Sequence, residues 1–324
     1  MLSNTVRVRV PASTANLGPG FDTLGMALNL YTWIEMSPAE STRITLIGEE
    51  LAGLPTDKRN LVYQVAQQVF QAAGVSCPEL EIAMYSEIPL TRGLGSSASA
   101  IVGGLAAANA LIGRPLSDDG LFQIAARLED HPDNVGASLF GGIVVAYWDG
   151  TRAEYAVIEP HERLDVLAVI PDYHLSTEKA RHALPKQVPL KDAVFNIGHT
   201  ALLVAALAQG NLAMIRHAMK DALHQPYRTA LVPGMERILA EAADHGALGA
   251  ALSGAGPTML AFADAESGSR ETLQAFMLSA FAEEGIAARA IWLKPERQGV
   301  QILTQDDQKR TLVEMSAKGD GRTT

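Results

Sequence analysis

The sequence predicts an α+β protein of two lobes, and three observations lead there. Strand-like patterns crowd residues 6–47 without the regular alternation with helices that a parallel sheet needs. A glycine-rich turn around Gly93 and Gly95 opens straight into an apolar helical run. Beyond Ser176 helical patterns dominate, then give way to a strand, a glycine turn and a second strand. At 324 residues the chain is long enough for about two domains.

The elements follow in order. Residues 6–10 alternate valine with arginine and read as a strand; residues 27–36 and 43–47 are two more. Between the first two, residues 11–22 are dense in turn formers and read as a loop. Residues 60–73 carry Leu61, Val65 and Val69 at helical spacing, closed by Gly74. Residues 80–85 form a strand before the glycine turn, and 98–111 a helix that stops at Gly113-Arg114-Pro115. Ser117 then caps a second helix reaching Glu129. Strands are expected at 143–148, 153–158 and 164–170, with Asp149-Gly150 turning the first pair into a hairpin. Helices at 190–207, 211–219 and 234–245 precede strands 247–252 and 257–262, a helix at 272–284 and a strand at 286–293. The lobes are expected to be 1–160 and 161–305, followed by a polar, poorly ordered tail at 306–324.

Composition narrows the function. The formal net charge is −10 and no lysine–arginine cluster stands out, which speaks against nucleic acid as a partner. Any bound phosphate must be neutralised locally, by backbone N–H groups, a helix dipole, a divalent metal and a few arginines. Cys77 is the sole cysteine, so disulfide frameworks and cysteine zinc sites are excluded. No apolar run approaches the ~20 residues of a membrane span, and the N-terminus reads as a strand, not a signal peptide. A cytoplasmic protein without membrane partners is expected.

The most informative segment is Pro89-Leu90-Thr91-Arg92-Gly93-Leu94-Gly95-Ser96-Ser97-Ala98-Ser99. Its glycines allow a tight backbone approach, the following helix aims free N–H groups at the loop, and the serines add hydroxyls. A nucleotide-binding loop is the best reading. The lysine of a P-loop is missing. The GxGxxG/A dinucleotide fingerprint is matched, but a second helix follows where a parallel strand and its acidic residue are needed. A ligand-free helix start is the plain alternative.

Three further clusters are polar. Residues 13–22 hold Asn16 and Asp22 in a glycine–proline setting that also suits a structural Asx turn. Glu129-Asp130-His131-Pro132-Asp133-Asn134 places carboxylates at a helix C-terminus, where the dipole disfavours them. One reading makes Glu129 a Mg²⁺ ligand, with His131 and Asn134 facing a polar substrate; the other is a plain helix C-terminus broken by Pro132. Ser253-Gly254-Ala255-Gly256 is either a tight β-turn or backbone support for a phosphate or for the first loop.

Taken in order, segments 11–22, 93–98, 129–134 and 252–257 resemble the GHMP small-molecule kinases over about residues 5–300, and the first and third are most similar to the homoserine kinase branch. The resemblance implies a two-lobed GHMP-kinase fold, with an N-terminal mixed α/β lobe and a C-terminal ferredoxin-like α+β lobe. It implies that Pro89–Ser99 wraps the phosphates of ATP, that Asn60 and Val62 lie near adenine, and that Ser97 and Glu129 hold Mg²⁺. Asn16, Asp22, His131 and Asn134 would surround L-homoserine, with Asp22 on its amino group. Arg181 and Arg228, otherwise ordinary surface arginines, would take its carboxylate. Ser97, Glu129, Asn134 and Thr177 are the catalytic candidates, and Thr177 or Asp133 the candidate proton relays. A homodimer is also implied. Asp130 departs from the pattern, in which glycine is frequent. A GHMP kinase for another alcohol such as mevalonate, a nicotinamide-dependent oxidoreductase and a non-catalytic nucleotide sensor are the competing readings.

Overall fold

The computed structural model describes residues 5–303 together with 312 and 314. Its first strand, β1 (Val6–Asn16), runs straight through the segment expected to be a loop, and β2 (Gly20–Ala39) returns beside it. Only residues 17–19 turn. The cause is burial: every residue of β1 except Arg9 is buried, so its backbone groups need ladder partners. Pro11, which cannot donate, sits at a register shift between Pro11 and Ala12.

The first lobe continues with β3 (Arg43–Ile47), α1 (Leu61–Ala72), β4 (Glu79–Ser86), α2 (Ser96–Leu111), α3 (Asp118–Glu129), α4 (Asp133–Phe140), β5 (Ile143–Trp148) and β6 (Ala153–Ile158). Helix α4 was absent from the sequence reading. Pro132 ends the preceding turn and stands at its N-cap, so Asp133 occupies a helix N-terminus, where a carboxylate is favoured. The second lobe comprises β7 (Leu164–Pro171), α5 (Thr177–His182), α6 (Leu190–Ala208), α7 (Leu212–Ala218), α8 (Gln225–Arg228), α9 (Met235–Glu241), β8 (Gly249–Leu252), β9 (Met259–Asp264), α10 (Arg270–Ala282) and β10 (Ala288–Leu293). A short β11 (Gln301–Ile302) returns to the first lobe.

Seven strands form the first sheet, in the order β11-β1-β2-β4-β3, with β5 on the first half of β2 and β6 on β5. Only β3 and β4 run parallel. The second sheet has the order β10-β7-β9-β8 with every pair antiparallel, the ferredoxin-like arrangement. Its central β7 is buried throughout; the sequence is apolar except for Asp165, whose buried carboxylate pairs with Arg270.

One core lies between the first sheet and α1–α4, around Phe70, Val102 and Phe122. A second joins the lobes: Leu17, Leu24 and Met26 of the first pack with Val166, Leu203 and Phe262 of the second. A third fills the space under α9 and α10. The expected tail at 306–324 lies outside the described residues apart from Leu312 and Glu314, and Leu312 is buried against Trp33 and Tyr85. Helix α6 has the length and apolar composition of a membrane span, which the sequence reading had not credited to any run. Its inner face is bound to the first lobe, since Asn196 and Thr200 both donate to the Pro19 carbonyl.

Candidate active site

A cleft of about 390 Å³ opens between the lobes, and most of the sequence-predicted residues line it. The glycine loop forms one wall. Gly93 and Gly95 have φ of 80° and 70°, in the left-handed region. A Cβ on Gly93 would lie 2.3 Å from the Ser253 carbonyl, and one on Gly95 2.1 Å from Ser13 Oγ. The loop is therefore pressed against β1 and against the turn at 253–256. Ser253 Oγ donates to the Gly93 carbonyl at 2.6 Å, so that turn braces the loop from the second lobe. Helix α2 starts with no side-chain cap, leaving the first-turn N–H groups facing the cleft beside Ser96, Ser97 and Ala98.

Leu90, Thr91 and Arg92 also line the cleft, but Pro89, Leu94 and Ser99 do not. All three are buried behind the loop. The Leu94 carbonyl accepts from Ser13 N–H, and Ser99 Oγ bonds the Ser96 carbonyl and Thr32. Arg92 donates to His174 Nδ1 at 2.6 Å, the same nitrogen that meets the Thr91 hydroxyl. After α2 comes α3, and β4 has antiparallel β2 on one side, so no Rossmann unit is present.

Ser97 Oγ donates to Glu129 Oε1 at 2.7 Å, which sets two hard oxygen donors side by side. The other Glu129 oxygen is 3.6 Å from His131 Nε2, whose Nδ1 is 3.2 Å from Asp133. Burial opposes a charge on His131, but the Asp133 hydrogen bond and the Asp133 and Glu129 charges outweigh it and hold its pKa above the usual value. Asp130 points to solvent and does not line the cleft. Its φ of 61° explains the departure from glycine, because aspartate tolerates the left-handed region better than most residues. Asp130→Gly should stabilise the fold by about 0.5–1 kcal/mol and leave the kinetics unchanged; a lowered melting temperature would contradict this.

A charged cluster occupies another part of the cleft. Asp22 and Arg181 form a two-pronged ion pair at 2.8 and 3.1 Å. Arg228 is no surface residue but 2% exposed. It donates to the carbonyls of Ala180 and Gly254, each at 3.1 Å, and to His224 Nδ1 at 3.2 Å. Burial first, and the nearby Arg181 charge second, push its pKa down to about 10, so it remains a cation at neutral pH. Phe21 lies 5.5 and 5.7 Å from the two guanidinium carbons and stacks on His224. Asn16 and Asn134 line the cleft, and both are engaged: Asn16 bonds the Gly254 carbonyl and Asp22 N–H, and Asn134 Oδ1 accepts from Ser13. Thr177 begins α5, four residues before Arg181 and on the same face.

The remaining wall is apolar, built by Leu51, Leu54, Pro55, Val62 and Met84 with Asn60. Asn60 caps α1 by accepting from Val62 N–H and donates to the Pro55 carbonyl, so its amide is spent on the fold. Sequence reasoning missed Phe21, His224 and the Leu51–Pro55 wall. Phe21 stood inside a segment read for Asn16 and Asp22, and His224 four residues before Arg228; the apolar wall carries no chemical signature.

The chain matches the family model described as GHMP kinases N terminal domain at residues 60–142, and GHMP kinases C terminal at 203–283. Homoserine kinase of Deinococcus radiodurans is 47% identical over 284 residues, covering 88% of this chain and 92% of that one. The crystal structure of homoserine kinase from Cytophaga hutchinsonii superposes with a TM-score of 0.84 at 29% identity, covering 94% of this chain and 98% of that one. L. major mevalonate kinase, at 20% identity, 90% and 95% coverage and a TM-score of 0.62, shares the fold.

Proposed function

Because this chain belongs to the homoserine kinases of the GHMP kinase superfamily, we propose that it transfers the γ-phosphoryl group of ATP to the side-chain hydroxyl of L-homoserine. The hydroxyl oxygen bonds to phosphorus, the bridging β,γ bond breaks, and ADP and O-phospho-L-homoserine leave with the displaced proton. The observation that carries the reading is one cleft holding both an uncapped helix N-terminus and a carboxylate with two guanidinium groups. An α-amino acid needs both signs of charge at one end. Mevalonate has a carboxylate and no amine, which leaves Asp22 without a partner on the substrate.

The loop N–H groups hold the phosphates, and the apolar wall takes the adenine ring. Ser97 and Glu129 fit Mg²⁺: both are hard oxygens, and no cluster of three or more histidine, cysteine or acidic side chains among the described residues offers a full cage. These two residues would leave the other positions of the ion to water and phosphate oxygens, and the charge it would supply there would offset that of the phosphates. Asp22 takes the substrate ammonium; Arg181 and Arg228 take its carboxylate. Holding the hydroxyl in line is the chief task, since the loose transition state asks for positioning and charge neutralisation. Thr177 and Asp133 both line the same cleft and are the two candidate relays for the displaced proton.

The test is ADP release with Mg·ATP and L-homoserine, against L-serine, L-threonine, mevalonate and 4-hydroxybutyrate. Homoserine is expected to far exceed the rest. A preferred different alcohol would move the chain to another branch, and turnover of 4-hydroxybutyrate equal to homoserine would remove Asp22 from recognition.

The enzyme is also proposed to be a cytoplasmic homodimer. The outer face of α6 supports this: Leu190, Val194 and Ile197 are 80%, 61% and 68% exposed, with Gly198 and Ala201 between them and Leu202. Exposed apolar residues that adjoin on one helix face mark an interaction surface. Ile197→Glu should convert the dimer to a monomer in sedimentation or light scattering; a dimer that survives the charge pairs through another face.

A further inference from the structure

We propose that His224 is a positioning residue for substrate binding: it fixes the guanidinium of Arg228 through a neutral acceptor, so that the cation is anchored while its charge stays available to the substrate carboxylate. The inference rests on the homoserine kinase reading above.

The imidazole is 0% exposed, and its two nitrogens do different work. Nε2 lies 2.7 Å from the Gly18 carbonyl, an acceptor only, so this nitrogen carries the proton. Nδ1 is then a lone pair, and Arg228 Nη1 donates to it. With the carbonyls of Ala180 and Gly254, His224 completes a set of three acceptors around Arg228, none of them charged. Two carboxylates are near, and neither binds Arg228. Asp22 is taken by Arg181. Both oxygens of Asp221 accept main-chain N–H groups, from Leu223 on one side and from His224 and Gln225 on the other.

This arrangement separates two demands that a buried arginine usually meets with one partner. Its N–H groups must be satisfied or the burial cost is severe. A carboxylate would do that but would also compete with an incoming anion, as Asp22 does at Arg181 until the substrate ammonium draws it away. Neutral acceptors satisfy the donors and leave the charge. Nη2 makes no bond to any described residue, and Arg228 lines the cleft. The ring also ties the site together, because Gly18 belongs to the turn that leads into Phe21 and Asp22 of β2, and Phe21 stacks on it at 5.2 Å.

Two isosteres dissect the roles. His224→Asn keeps an acceptor near the Nδ1 position and loses the donor to Gly18. His224→Gln keeps the donor and loses the acceptor. Initial rates are measured with the full-length enzyme, varying homoserine and ATP separately, beside thermal melting curves. H224Q is expected to raise the homoserine KM about 10- to 100-fold, the cost of a lost bond to a charged group, with the ATP KM unchanged. H224N is expected to keep the homoserine KM near wild type and to lower the melting temperature. In an Arg228→Ala background, H224Q should add nothing to the homoserine KM. Equal homoserine KM values for the two variants, or additive effects with R228A, would overturn the positioning role. Wild-type enzyme inert toward homoserine would instead overturn the functional reading, so the two failures are distinguishable.

Discussion

Arg228→Ala should raise the homoserine KM by about 10²- to 10³-fold while the ATP KM moves little. That is the range for truncating one member of a buried charge pair, about 3–4 kcal/mol. The prediction is large because Arg228 is prepaid: its rotamer is held by three acceptors before substrate arrives, so little entropy remains to be lost on binding. Arg228→Lys should rescue poorly, since a lysine ammonium cannot reach the Ala180 and Gly254 carbonyls and His224 while presenting a flat edge to a carboxylate. Steady-state rates with homoserine and Mg·ATP varied in turn decide it. Equal increases in both KM values would make Arg228 a residue of the fold and not of the substrate pocket.

Glu129→Ala should act on turnover. A fall in kcat on the order of 10²- to 10³-fold is expected for losing one preorganised electrostatic contact, with the activity shifted to higher Mg²⁺ concentration. Ser97 Oγ loses its acceptor in the same substitution, so Ser97→Ala should give a smaller loss in the same direction. The two together should cost less than the sum of their separate effects, because they form one contact. Kinetics that do not change at limiting Mg²⁺ would remove Glu129 as a ligand.

The glycine loop was legible because its chemistry is local: glycines for the turn, an apolar helix behind, hydroxyls between. The three carboxylates at 129–133 were legible as an anomaly, which loses one of its members once Asp133 is seen to start a helix of its own. Arg181 and Arg228 were identified only through resemblance, since nothing in an isolated arginine announces that it will be 2% exposed. The loop assigned to 11–22 became strand because turn-forming residues were weighed without the tertiary burial that overrides them. His224 escaped notice for a similar reason: its function depends on Gly18, a partner 206 positions away.

That distance bears on how the enzyme is made. The Ser253 brace and the Gly93 carbonyl it holds are 160 residues apart, and β1 does not acquire β11 as a neighbour until residues 301–302 exist. At translation speeds of about 5–20 residues per second, the phosphate loop emerges from the ribosome roughly 10–30 s before its support does. Through that interval the nascent first lobe carries an unpaired strand edge and half of a shared core. A truncated transcript of this gene should therefore yield an aggregation-prone client for chaperones, not a weak kinase.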